Sequence, residues 1–147
     1  MSKKSTEKVF VNGPISPETI AKSISGYQSK TNIGAHNIFL GQVRADEIEG
    51  RIVQAIDYSA YEEMAEEKFQ EIRERAFEKF DVTVICINHS LGNVLVGELC
   101  LFVFTSSAHR KTAIDACTFL VEEIKANVPI FGKEIFEDES HQWKVNS

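Results

Sequence analysis

Two neighbouring apolar runs, VTVICINH at residues 82–89 and LVGELCLFVF at residues 95–104, set the architecture of this chain. Both are rich in β-branched and aromatic side chains, which is typical of strands. Both are also apolar enough to be buried on two faces, as central strands are. Leu91-Gly92-Asn93 lies between them and carries a hairpin signal. The sequence therefore predicts a central β-hairpin from which the other elements can be placed.

Two amphipathic helices are predicted around this hairpin, at residues 61–80 and 108–127. Apolar side chains recur at steps of three and four in each, while the opposite face of the first helix is Glu, Lys and Arg. Pro129 forbids continuation of the second helix. The predicted buried stripes are Tyr61, Ala65, Phe69, Ile72, Ala76 and Phe80 in the first helix, and Ala113, Ala116, Cys117, Leu120, Val121 and Ile124 in the second.

The remaining patterns predict shorter elements. Ser16-Pro17 opens a helix that runs to about Tyr27, with serine at the N-cap and proline at the first helical position. Residues 44–51 read as a loop with a turn at Gly50. Strands are predicted at residues 8–11, 35–43, 52–58, 130–136 and 142–145. This order indicates an α+β fold with a mixed, mostly antiparallel sheet, two long helices and one shorter N-terminal helix.

Composition excludes several classes of protein. No repeat or Pro/Gly-rich linker divides the chain, so residues 1–147 are expected to form one domain. The formal net charge of −6 argues against general binding to nucleic acid or to an anionic membrane. Residues 1–8 are polar, and the longest strongly apolar run, residues 99–104, is too short to span a bilayer. We expect a cytoplasmic protein.

The cysteines and histidines do not predict a metal site. The chain has 3 cysteines without a CxxC pair, all within apolar stretches, so they are expected to be buried and reduced. Its 4 histidines are far apart in sequence and form no HxxxH motif or Cys/His cluster. No metal is expected.

The segment SSAHR at residues 106–110 contains a local conflict. Ser106 and Ser107 suit a helix N-cap, but His109 and Arg110 would place cations in the first turn, where the helix dipole disfavours them. Free backbone N–H groups together with Arg and His would bind a phosphate well. The alternative is that Arg110 points away and pairs with a surface glutamate.

Lysines follow at the end of the same predicted helix. Lys125 falls in its last turn, where a cation complements the helix dipole, and Lys133 follows Pro129. In a partly apolar pocket either amine could act as a nucleophile or proton shuttle. Each lysine could equally be a solvated charge.

Arg44 ends the strand that contains Gly41 and has the same two interpretations, a ligand contact or a solvent-facing strand end. Tyr58, Tyr61 and Met64 are interpreted mainly as core residues. His89 is interpreted as a partly exposed histidine at a strand end.

Five segments in order and spacing resemble the large, catalytic subunit of molybdopterin synthase. The resemblance covers nearly the whole chain, and Trp143 fits the closing strand of that family. The segments are GQVR at residues 41–44, YSAY at 58–61 with MA at 64–65, HSLG at 89–92 through VGE at 96–98, SSAHR at 106–110, and Lys125 through PIFGKE at 129–134.

This resemblance implies an α/β-hammerhead type of fold and a homodimer of large subunits within a heterotetramer. A ubiquitin-like small subunit would dock on each large subunit and insert its C-terminal Gly-Gly thiocarboxylate. The implied reaction transfers sulfur to cyclic pyranopterin monophosphate and forms the dithiolene of molybdopterin. No metal or separate organic cofactor is implied.

The resemblance also implies roles for individual residues. Lys125 would be the central catalytic lysine, with Lys133 as the second. The substrate and its phosphate would be bound by residues from three segments of the chain: Gln42, Val43, Arg44, His109, Arg110, Lys125, Gly132, Lys133 and Glu134.

This sequence departs from the family pattern at Gly132. The family usually has a lysine directly after the aromatic residue of this segment, whereas here Gly132 follows Phe131 and Lys133 comes one place later. A shift of one residue turns a strand side chain to the opposite face. Either the glycine lets Lys133 reach the site or the protein works with one lysine. The remaining alternatives are a relative that binds its ligands without turnover and a plain α+β interaction protein.

Overall fold

The computed structural model describes residues 8–145. Apart from Lys8, the polar segment predicted at the N-terminus lies outside these residues. The elements in chain order are β1 (Phe10–Asn12), α1 (Pro17–Tyr27), β2 (Ala35–Gln42), β3 (Glu47–Ile48), β4 (Arg51–Ala60), α2 (Glu62–Lys79), β5 (Val84–Leu95), β6 (Leu99–Ser107), α3 (Arg110–Asn127), β7 (Ile130–Phe136) and β8 (His141–Trp143).

The strands form a sheet in the order β2-β6-β5-β4-β7-β8, with β1 beside β5 and β3 beside β4. β1 runs parallel to β5, and the other pairings are antiparallel. The predicted α+β class is confirmed, with its mostly antiparallel sheet, two long helices and shorter N-terminal helix. Ser16 caps α1 as predicted, since its hydroxyl oxygen accepts a hydrogen bond from the Glu18 N–H at 3.2 Å.

The predicted position of the central hairpin turn was wrong. Leu91-Gly92-Asn93 lies within β5, and the chain reverses at Val96-Gly97-Glu98, where Gly97 has φ +89°. The Glu98 N–H donates to the Leu95 carbonyl oxygen at 2.9 Å and closes this turn. Gly92, at φ +82°, instead marks the point where β5 leaves its pairing with β6 and continues beside β4.

The two long helices share one core with the sheet. Ala65, Phe69 and Ile72 of α2 are buried in the same cluster as Leu120 and Ile124 of α3. The predicted stripes were therefore correct over the middle of both helices. The first was wrong at its N-terminal end, because Tyr61 precedes the first helical residue and is 65% exposed. Met64, also expected in the core, is 55% exposed.

The start of α3 differs from the prediction. Ser106 and Ser107 are buried in β6, where they pair with β2, and α3 begins at Arg110 with His109 at the N-cap position. The His109 side chain makes no capping hydrogen bond, but the Ser107 hydroxyl oxygen accepts from the His109 N–H at 3.4 Å. Pairing with β2 satisfies the serine backbone groups, so the strand continues through the predicted cap.

All 3 cysteines are buried free thiols, as predicted. Within residues 8–145 no helix is long and apolar enough to cross a membrane. Over the same residues no group of three or more His, Cys, Asp or Glu side chains could hold a metal ion.

Candidate functional site

A cavity of about 330 Å³ lies where the end of α3 meets the first residues of β7 and the end of β8. Tyr58 of β4 and His89 of β5 form its inner wall. Lysines are the charged side chains among the described lining residues, and none of these residues is acidic. The lining residues are Tyr58, His89, Ile124, Lys125, Val128, Ile130, Phe131, Gly132, Trp143 and Lys144.

Lys125 is placed at this cavity by the end of its helix. The Val128 N–H donates to the Ile124 carbonyl oxygen at 3.2 Å, and Pro129 follows at the point where β7 begins. Ile124 and Val128 are both buried and hold the last helical turn against the sheet. Lys125, between them in sequence, therefore lies at the edge of an apolar wall.

His89 is buried beside Lys125, with 5% of its surface exposed. Its Nδ1 lies 2.8 Å from the Ser90 carbonyl oxygen, which accepts a hydrogen bond and so fixes the proton on Nδ1. Burial, together with the positive charge of Lys125, lowers the pKa of His89 from 6.5 to about 4. His89 is therefore a neutral imidazole at pH 7, and its Nε2 is a hydrogen-bond acceptor.

The buried neutral His89 predicts acid sensitivity of the fold. Below pH 6.5 the unfolded chain binds a proton at this histidine that the folded chain refuses until about pH 4. The contribution of His89 to the free energy of unfolding is largest above pH 6.5 and is lost as the pH falls toward 4. Between pH 7 and pH 5 its contribution to the free energy of unfolding should fall by about 2 kcal/mol. Denaturant unfolding at both pH values measures this loss.

A His89→Gln variant should lack that part of the pH dependence. The exposed His141 provides the matched control, and His141→Gln should retain the full loss between pH 7 and pH 5. An unchanged pH profile in His89→Gln would contradict the neutral buried imidazole.

Gly132 lies directly opposite Tyr58 in the pairing of β7 with β4. A Cβ at position 132 would lie 3.0 Å from Ile56 Cγ2 and 3.3 Å from Tyr58 Cε1. Both distances are tighter than ordinary contacts, so the glycine makes room for these two side chains. Burial, followed by the neighbouring Cys100 and Glu134, raises the pKa of Tyr58 well above its usual value, which keeps its hydroxyl protonated.

Lys133 does not line the cavity with Lys125. It pairs with Asp57 on β4 and Trp143 on β8, and its Nζ lies 5.8 Å from the centre of the Trp143 ring. Because consecutive strand residues face opposite sides, Lys133 lies on the other face from Gly132. Glu134 is on the same face as Gly132 but buried one row away, where its Oε1 accepts a hydrogen bond from Gln142 Nε2 at 3.3 Å.

Residues 42–44 and residues 109–110, the two predicted substrate-binding segments that contain arginine, lie near the two ends of β2. Gln42 ends the strand, and the Val43 N–H donates to the Glu98 carbonyl oxygen at 3.0 Å. Arg44 follows and pairs with Asp46, its Nε lying 3.3 Å from Asp46 Oδ1.

His109 and Arg110 are near the opposite end of β2, since the Gly34 N–H donates to the Ser107 carbonyl oxygen at 2.9 Å. β2 spans 8 residues, which is roughly 25 Å of strand. Arg44 and Arg110 of a single protomer are therefore too far apart to contact the same small ligand.

Four lining residues with hydrogen-bonding side chains have no site role in the sequence prediction: Tyr58, His89, Trp143 and Lys144. The expectation that His89 is partly exposed at a strand end was wrong, because it is buried within β5. Tyr58 is predicted as a core residue, Trp143 only fits the closing strand of the family, and Lys144 has no predicted role. Lys144 follows Gly132 by twelve positions in the sequence. That separation predicts that the two residues pair only once the turn between β7 and β8, at residues 137–140, is known.

A second cavity, of about 390 Å³, adjoins the first and shares Phe131 and Trp143 with it. Tyr61 completes its aromatic wall, with the Tyr61 and Phe131 rings edge to face at 5.3 Å. Tyr61, Phe131 and Trp143 are 65%, 41% and 60% exposed. We name these three residues the aromatic surface; contiguous exposed aromatic side chains of this kind mark interaction sites.

The fold and the cavity define an α+β protein with lysines gathered where a long helix ends against the sheet. Comparison with known sequences assigns it further. The chain belongs to the MoaE protein family, whose model matches residues 10–127.

Curated relatives are named molybdopterin synthase catalytic subunit. The Pyrococcus abyssi protein is 39% identical over 115 residues, covering 78% of this chain and 76% of the relative. The Arabidopsis thaliana protein is 40% identical over 121 residues, covering 82% of this chain and 60% of the relative. The human protein is 39% identical over 113 residues, covering 77% of this chain and 59% of the relative.

Solved structures share the fold. The crystal structure of molybdopterin synthase from Staphylococcus aureus matches with a TM-score of 0.79 and 31% identity, covering 99% of this chain and 98% of that one. A chain from a complex of subunits 1 and 2 of the Helicobacter pylori molybdopterin-converting factor matches in fold, with a TM-score of 0.78, 23% identity and coverage of 91% and 87%. The expected α/β-hammerhead type of fold is thereby confirmed.

Proposed function

We propose that this chain is the catalytic subunit of a molybdopterin synthase. It transfers sulfur from the C-terminal thiocarboxylate of a ubiquitin-like small subunit to cyclic pyranopterin monophosphate, and so forms the dithiolene of molybdopterin. The observation that carries the proposal is the cavity at Lys125. The position that the family resemblance assigns to the central lysine lies on the wall of a cavity that also holds a neutral histidine.

The proposed chemistry depends on positive charge placed where an anion must react. Lys125, as an ammonium group, holds the thiocarboxylate while its sulfur displaces an oxygen substituent at a substrate carbon. Water then hydrolyses the thioester so formed, which leaves the sulfur on the pterin and a carboxylate on the tail. A charge in a partly apolar cavity acts more strongly than in water. Arg44, which follows Gln42 and Val43, and His109 and Arg110, at the start of α3, bind the substrate and its phosphate. The anionic substrate must be bound by cationic side chains close to it, because the chain as a whole carries a net charge of −6. The proposed step uses no metal or organic cofactor.

The aromatic surface supports a protein partner next to the cavity. An extended Gly-Gly tail has no side chains, so it can enter a narrow opening while the body of the small subunit covers exposed apolar groups. Tyr and Trp are the residue types that most often dominate such interfaces. We place this assembly in the cytoplasm, where the three buried thiols would stay reduced.

The substrate site is proposed to be shared between two large subunits of a homodimer within a heterotetramer. Arg110 and Lys125 are both on α3, fifteen residues apart, which corresponds to about 22 Å along the helix. They cannot contact one small pterin from the same helix. A two-fold interface can bring the start of one α3 near the end of its partner, because it pairs unlike regions reciprocally.

Mixing two inactive variants tests the shared site. Arg110→Ala and Lys125→Ala should each be nearly inactive alone. After subunit exchange at equal concentrations, about one quarter of the sites should contain both intact residues and recover turnover. The control mixes Lys125→Ala with a variant carrying both substitutions, which can form no intact site. If the first mixture recovers no more turnover than this control, the site lies within one protomer.

A second candidate function is a relative that binds the small subunit and substrate without turnover. The specific observation in its favour is Gly132 together with the placement of Lys133 on the opposite face, beside Trp143. The experiment that separates the two functions incubates the purified chain with a thiocarboxylated small subunit and cyclic pyranopterin monophosphate. Product formation supports the synthase, whereas a stable complex that forms no product supports the binding relative.

A further inference from the structure

Lys144 reaches the Lys125 cavity from the last described strand of the sheet. Lys133 pairs with Trp143 in the β7–β8 hairpin, so the next pair in that register is Gly132 with Lys144. The Lys144 N–H donates to the Gly132 carbonyl oxygen at 2.7 Å, which extends the pairing to these two residues. Side chains of directly paired residues share one face of a sheet. Lys144 therefore lies on the face to which a side chain at position 132 would belong.

Burial agrees with this placement. Lys144 is half-buried although it is close to the C-terminus, and it lines the same cavity as Lys125 and His89. Lys133, one position from Gly132, is on the opposite face and is not among the residues that line this cavity. The hairpin thus carries one lysine to each face.

Position 132 itself is poorly suited to a long side chain. Tyr58 and Ile56 already occupy the space around its Cα, and a Cβ there would require both to move. A lysine on the neighbouring strand avoids this crowding, because its Cβ starts one strand spacing away, about 4.8 Å.

Two lysines on a cavity that has no acidic side chain among its described lining residues also indicate the charge of its ligand. Ammonium groups on the wall of one cavity attract an anionic ligand, and each can donate hydrogen bonds to it. A carboxylate-type group at the end of a narrow peptide tail has the required charge and shape.

We propose that Lys144 supplies the second positive charge of the Lys125 cavity and contacts the thiocarboxylate of the small subunit's tail, in the place that a lysine at position 132 would take. This inference rests on the proposed function. Lys144 forms no covalent bond in this role; its ammonium group donates hydrogen bonds to the anion and neutralises it while sulfur is transferred.

The test compares Lys144→Ala with Lys111→Ala, which removes an exposed lysine that is not among the residues lining the cavity. Turnover with a thiocarboxylated small subunit should fall at least about tenfold in Lys144→Ala and by less than about twofold in Lys111→Ala. Lys144→Arg keeps the charge and should retain most of the turnover. Equal losses in Lys144→Ala and Lys111→Ala, or no loss in Lys144→Ala, would overturn the inference.

A binding measurement separates an electrostatic role from a structural one. Lys144→Ala should weaken binding of the thiocarboxylated small subunit and leave unchanged the binding of a small subunit that lacks its final Gly-Gly. Equal weakening for both forms would indicate damage to the docking surface and would overturn the inference. So would a change confined to the KM for cyclic pyranopterin monophosphate, which would assign the charge to the substrate phosphate.

The same experiment keeps the two proposals apart. A parent chain that binds the small subunit but gives no product contradicts the proposed function, and the tail-dependent binding difference then still tests Lys144. A parent chain that turns over, with Lys144→Ala equally active, contradicts only the role of Lys144.

Discussion

Lys125→Ala should reduce turnover at least about a hundredfold while the protein stays folded and still binds the small subunit. The side chain lies at the end of α3, where Ile124 and Val128 supply the buried contacts and Lys125 itself is exposed. Its removal therefore costs little packing. The expected loss comes from the missing amine beside the thiocarboxylate, which acts on the reacting group and not on the fold. Initial rates with saturating small subunit measure it.

The matched control for this variant is Lys111→Ala, on the same helix. Lys111 is exposed and its Nζ pairs with Asp115 Oδ2 at 2.8 Å. Loss of such a surface pair has a small effect on stability, and Lys111 is not among the residues that line the cavity. Turnover should stay near the parent value. A Lys125→Ala protein with full activity would remove Lys125 from the mechanism.

Gly34→Ala should destabilise the protein by about 2–3 kcal/mol through a steric clash at the start of α3. The Gly34 N–H bonds to the Ser107 carbonyl oxygen, and a Cβ at Gly34 would fall well inside contact distance of the Ala108 carbonyl oxygen. That oxygen belongs to the backbone, so it can move only if the segment leading to His109 and Arg110 moves with it. Chemical denaturation measures the change in the free energy of unfolding.

Gly26→Ala is the matched control for this substitution. Gly26 lies in α1, and a Cβ there would meet nothing within 4 Å. Alanine in an unstrained helical position reduces the entropy of the unfolded chain, so this variant should be more stable by about 0.5–1 kcal/mol. If Gly34→Ala were as stable as the parent, the close approach between residues 34 and 108 would not hold in solution.

The parts of the fold that local patterns control were predictable from the sequence. The three-and-four spacing of Ala65, Phe69 and Ile72 is sufficient to define one face of a helix, and Pro129 is sufficient to end another. Ser16-Pro17 similarly marked the start of α1. In each case the deciding interaction joins residues within a few positions of one another.

The hairpin turn was not predictable by the same means. Gly92 and Gly97 lie five positions apart, and both have positive φ. Either glycine could form the turn of the hairpin. The turn lies at Gly97 because β4 pairs with residues 92–95 and keeps them extended. The serines before α3 were misplaced for a similar reason, because pairing with β2 extends β6 through residues that also suit a cap.

The candidate site was likewise predictable only in part, because some of its residues depend on how the strands pair. The family resemblance located Lys125 and flagged Gly132, but the position of Lys133 depends on which face of β7 it occupies. Lys144 depends on the register of β7 with β8, a relation between residues on two strands. Tyr61 was assigned to the core because its spacing continues the α2 stripe, yet it precedes the helix and contributes to an exposed surface.

The most direct test of the central claim is a sulfur balance in a single incubation. The chain is mixed with a thiocarboxylated small subunit and cyclic pyranopterin monophosphate, and both the thiocarboxylate consumed and the dithiolene product are quantified. The proposed function predicts that two thiocarboxylates disappear for each dithiolene formed, because a dithiolene contains two sulfur atoms. Thiocarboxylate that is consumed without product, or that remains intact in a stable complex, would contradict it.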